Sequence, residues 1–75
     1  MPYILLGYTC KLDQVGAVEE YIIFLAKEGN QARFEFGQVV DIKKVSPSVF
    51  NPSNYTIGSN VNVIYDSLGR IDNIV

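Results

Sequence analysis

Turn-forming clusters interrupt this sequence so often that little room is left for long helices. They fall at residues 13–16, 28–30, 46–54, 58–60 and 66–69, where Asp, Gly, Asn, Ser and Pro gather. The stretches between them are short. Short stretches separated by regular turns are the pattern of an all-β domain. Residues 3–10 are rich in aromatic and β-branched types and read as a strand, with Gly7 marking a bulge or a close backbone approach. Residues 38–45 read as another strand on Val39, Val40, Ile42 and Val45. Residues 60–65 and 70–75 form a C-terminal hairpin around the turn at 66–69.

Residues 17–27 fit two periods. As a helix, Val15, Val18, Ile22 and Leu25 share one side, with Asp13 placed to cap the start and Gly29 the end. As a strand, Ile22 and Phe24 face one way and Tyr21, Ile23 and Leu25 the other. The alternation Ala32-Arg33-Phe34-Glu35-Phe36 favours the strand. A three-residue loop at Lys27-Glu28-Gly29, with Gly29 left-handed, would set Phe24 opposite Ala32 and Ile22 opposite Phe34. That register groups the apolar side chains on one face. The expected fold is therefore mainly β, a small five- to six-stranded antiparallel barrel or meander of the OB or SH3-like kind. The alternative is α+β, with one helix at residues 13–28 packed on an antiparallel sheet.

Phe24, Glu28-Gly29 and Arg33-Phe34 bracket that hairpin, and Tyr55, Gly58, Val61, Val63, Tyr65 and Asp66 follow at fixed spacing. On these residues the chain resembles, over about residues 21–75, a family of small bacterial β-barrel domains of unknown function that are often tethered to membranes. It departs from that family at Ser67, where the family has proline. The resemblance implies a small barrel and no activity.

Seventy-five residues make one domain, residues 1–75. A chain this short buries only ~60–65% of its unfolded surface and usually needs a staple or a partner. Cys10 is the lone cysteine, which rules out an internal disulfide, and there is no histidine to build a zinc site. No metal or cofactor is expected. Apolar residues make up 48% of the chain and charged ones only 19%, so much of the apolar surface has no interior to enter. We expect a homo-oligomer on that ground. The apolar run at residues 3–6 is too short for a membrane span, and the single cysteine suits a cytoplasmic protein, bacterial or phage in character.

General acid–base chemistry needs a group that titrates near neutrality. Glu19 and Glu20 are adjacent and diverge, Asp41, Asp66 and Asp72 are isolated, and Cys10 has no histidine beside it. The expected function is non-enzymatic: a small binding or accessory module acting through self-association and protein recognition. The residues expected at its partner surface are Tyr21, Ile23 and Leu25, the second apolar face of the hairpin, with Val49 and Phe50 from the Pro/Ser/Asn loop. One alternative is single-stranded nucleic-acid binding through Arg33, Lys43, Lys44 and Tyr55, set against a net charge of −2 that lacks a basic footprint. The other is a small-ligand-sequestering oligomer with a pocket between subunits.

Overall fold

The computed structural model of the protein describes residues 3–75. Strand β1 (Tyr3–Leu12) and strand β2 (Val18–Glu28) form a long antiparallel hairpin. Asp13 closes it: its Oδ1 accepts hydrogen bonds from the backbone of Val15 and Ala17, and Gly16 takes a φ of 85°. Strand β3 (Gln38–Val45) pairs with the far side of β2, and strand β4 (Asn60–Val61) with the far side of β1. The order β3-β2-β1-β4 makes one antiparallel sheet that curls into a half-barrel. Strands β5 (Val63–Tyr65) and β6 (Ile71–Ile74) form a second, two-stranded sheet.

The described residues are 52% strand and contain no α-helix, as the mainly β reading expects. The helical alternative at 13–28 is overturned. β2 has ladder partners on both sides over Tyr21–Ala26, so its amides and carbonyls are satisfied without helical bonds. No helix among the described residues is long and apolar enough to cross a membrane.

Cross-strand registers define the two faces of the large sheet. The inner rows run Leu5–Leu25–Asp41, Tyr8–Ile23–Lys43 and Cys10–Tyr21–Val45. The core forms on this side from Leu5, Ile23, Leu25, Val45, Phe50, Val61 and Ile74. Ile23 and Leu25 have no exposed surface, and burying each contributes about 1.5–3 kcal/mol. Phe50 reaches in from the 46–54 loop and meets Tyr8 and Tyr21 edge-on and Tyr55 face to face, with ring centroids 5.5, 5.4 and 4.8 Å away. The Tyr55 hydroxyl donates to the carbonyl of Ile74 at 2.7 Å, which ties the loop to β6.

The hairpin expected at Lys27-Glu28-Gly29 does not form. β2 runs on through Glu28, which pairs with Gln38, and residues 29–37 become a loop. The reason is local polar chemistry. The Asn30 side chain accepts from the Ala32 amide, the Asn30 carbonyl accepts from Arg33 and Glu35, and Glu35 Oε1 accepts from the Asn30 amide. These bonds wind Gln31–Arg33 into a 3-10 turn and leave the alternation at 32–36 unpaired. β3 offers β2 an unbroken eight-pair ladder instead. Gly29 is needed for space and not for a left-handed backbone: a Cβ there would sit 2.8 Å from the carbonyl oxygen of Gly37.

Candidate functional site

The outer face of the large sheet carries three rows: Ile4–Ala26–Val40, Gly7–Phe24–Ile42 and Thr9–Ile22–Lys44. Ala26 is buried beneath its neighbours, and Ile4, Ile22 and Phe24 are half-buried. Val40 and Ile42 are 56% and 62% exposed. None of these outer-face residues belongs to the core cluster or packs against it. Glu28 and Gln38 close one end of this apolar strip, and Glu20 and Lys44 border the other. An apolar centre with a polar rim is the usual build of a recognition surface.

Two further apolar side chains stand near the start of β3. Phe34 caps the 3-10 turn in the left-handed conformation, with φ 60° and ψ 29°. It is the only non-glycine residue among those described with a positive φ. A bulky side chain in that conformation costs roughly 1–2 kcal/mol. The ring gains no burial in return, being 86% exposed, and Phe36 beside it is 70% exposed. Below this loop lies an open recess of about 360 Å³ lined by Lys27, Glu28, Gly29, Asn30, Gln31, Arg33 and Glu35.

Val39 and Val45 of β3 point inward as expected and Lys44 outward, but between them the usual alternation is inverted. Asp41 and Lys43 point inward and Val40 and Ile42 point outward. The inward charges are received at the rim. Lys27 Nζ lies 3.4 Å from Asp41, and Lys43 Nζ lies 5.9 Å from the Tyr65 ring centroid. Burial, then the nearby Tyr65 and Asp41, pushes the Tyr3 hydroxyl above its ordinary value.

The side chains expected at a partner surface lie elsewhere than the sequence placed them. Ile23, Leu25 and Phe50 are fully buried, and Tyr21 and Val49 pack against the same core. The hairpin does have two apolar faces, but Phe50 covers the Tyr21/Ile23/Leu25 side within the same chain. The uncovered side is the one with Ile22 and Phe24. The residues put forward for nucleic-acid contact do not converge. Lys43 lies at the inner rim, Lys44 on the outer face, and Arg33 on the 3-10 turn, while Tyr55 is stacked on Phe50. Among the described residues no group of three or more His, Cys, Asp or Glu is placed to hold a metal ion.

The surface residues missed in the sequence are Phe34, Phe36, Val40 and Ile42. Their signal was present as alternation, and alternation reads the same for a face turned to the core as for one turned to a partner. Comparison with family models, with curated proteins and with solved structures gave no match to this chain.

Proposed function

We propose that this protein is a non-enzymatic binding module that works by self-association and protein recognition through the outer face of its large sheet. The observation that carries the reading is the inversion in the middle of β3, where Asp41 and Lys43 face inward and Val40 and Ile42 face out. A strand stable as a lone surface would carry the opposite pattern. Phe34 and Phe36 extend the same theme as exposed aromatic anchors, the residue type most enriched at interface centres. An exposed phenylalanine in a left-handed turn gives the isolated chain only strain, so its value lies in what it meets. The free, exposed Cys10 suits a reducing cytoplasm. The resemblance to small bacterial β-barrel domains adds an origin to this reading and no activity.

Light scattering after size exclusion, at micromolar chain concentration, is expected to give a mass above 8.4 kDa. A mass of one chain would end the self-association reading. Phe34→Asn separates stability from recognition. Asparagine tolerates the left-handed region, so the variant should resist urea better than the native chain, by about 1 kcal/mol. A loss of stability instead would mean that the ring supports the fold.

A further inference from the structure

The large sheet ends in two unequal edges. β4 offers two residues, and β3 offers eight. β3 is regular: its ladder with β2 has no register shift, whereas the β1–β2 ladder has two and the β5–β6 ladder one. Among the described residues, no backbone hydrogen bond outside that ladder involves residues 38–45. Long, flat, unpaired edges are templates for another strand. Inward-pointing charges such as Asp41 and Lys43 normally discourage such pairing. Here they have opposite signs and stand two residues apart, so they discriminate between registers and leave one open.

We propose that a second copy of this chain adds antiparallel to the free edge of β3, with Ile42 opposite its own copy. The inference rests on the self-association reading above and places the contact at the β3 edge, which borders that outer face. In this register Asp41 faces Lys43 of the partner subunit, and Lys43 faces the partner's Asp41, so two opposite-charge pairs form across the two-fold axis. On the outer face Ile42 meets the partner's Ile42, and Val40 lies beside the stem of the partner's Lys44. Those contacts cover the two most exposed apolar side chains of β3. Residues 39–45 all find cross-strand neighbours. Sliding the strands so that Asp41 or Lys43 meets its own copy would oppose like charges, which is destabilising. The product is one continuous eight-stranded sheet whose two outer faces join into a single apolar surface.

The pattern gives a charge-swap test on the full chain. The native protein is expected at twice 8.4 kDa by light scattering. Asp41→Lys alone and Lys43→Asp alone should each fall to the mass of one chain, since each sets like charges opposite. An equimolar mixture of the two variants should recover the double mass. One subunit then carries lysine at both positions and the other aspartate at both, so both pairs are complementary again. The double variant D41K/K43D should also stay dimeric. Circular dichroism of each variant checks that the β signal is retained. Single variants that remain dimeric would overturn the edge pairing while leaving self-association intact, the copies then meeting elsewhere. A mixture that stays monomeric would overturn it too, because loss without rescue means damage to the fold. A native chain of single mass would bring down both this inference and the reading beneath it.

Discussion

Asp66 holds the second sheet's turn with three hydrogen bonds. Its Oδ1 accepts from the backbone of Leu68 and Arg70, both at 2.9 Å, and its Oδ2 receives Arg70 Nε at 3.0 Å. The Arg70 amide, above all, holds the carboxyl below its ordinary value. A carboxylate whose folded value is depressed contributes stability above its unfolded value, near 3.8, and loses it as pH falls through the folded value. Asp66→Asn should therefore cost urea resistance at neutral pH, and the gap to the native chain should narrow below about pH 4. A gap of equal size at pH 7 and pH 2.5 would rule the carboxylate out as the cause. This turn was legible because Asp66 and Gly69 are local signals, with Gly69 supplying a φ of 78°. Phe34 was not legible in the same way. Nothing in the residue type announces a left-handed phenylalanine, and the turn that puts it there depends on Asn30 and Glu35 closing on each other.

The β1–β2 hairpin is supported unevenly along its length. β3 pairs with β2 only from Tyr21 to Glu28, and β4 reaches only Tyr3 and Ile4. Beyond that, the pairs Lys11↔Glu20 and Leu12↔Val18 have no further strand beside them. Leu12 and Val15 at the end are exposed. A two-stranded ribbon is marginally stable alone, so this arm opens without the rest of the sheet. Hydrogen exchange should show it: amides of Lys11 and Glu20 are expected to exchange at least about tenfold faster than those of Ile23–Ala26. Equal protection along the hairpin would mean that something covers the arm. The strands themselves were readable. β3 occupies the span expected for it, and β1 and β2 begin and end within two residues of expectation. Their partners were not, because the apolar alternation at 32–36 and at 38–45 offers β2 two candidate neighbours, and only side-chain capping at Asn30 removes the first.

The described chain measures 45 × 28 × 21 Å with a radius of gyration of 13.4 Å. A compact domain of this length has a radius near 11 Å. The projecting arm and the open half-barrel account for the excess, and both leave apolar surface without cover. If a second copy pairs along β3, folding and association are linked, and the thermal midpoint should rise with chain concentration. A midpoint independent of concentration across the micromolar range would contradict it. Outside residues 28–37, residue order alone determined the main extended stretches and turns, because β-branched runs and Asp, Asn and Gly turn chemistry act over a few residues. It also determined that β2 would be apolar on both sides. Only the tertiary structure decided which side turned inward. Either face of β2 satisfies the pleat equally well, and the choice fell to Phe50, a residue more than twenty positions away, whose ring fills the space over Tyr21 and Tyr8 and leaves Ile22, Phe24 and Ile42 outside. Long-range packing of that kind leaves no trace in local pattern, since it depends on a loop folding back across the sheet.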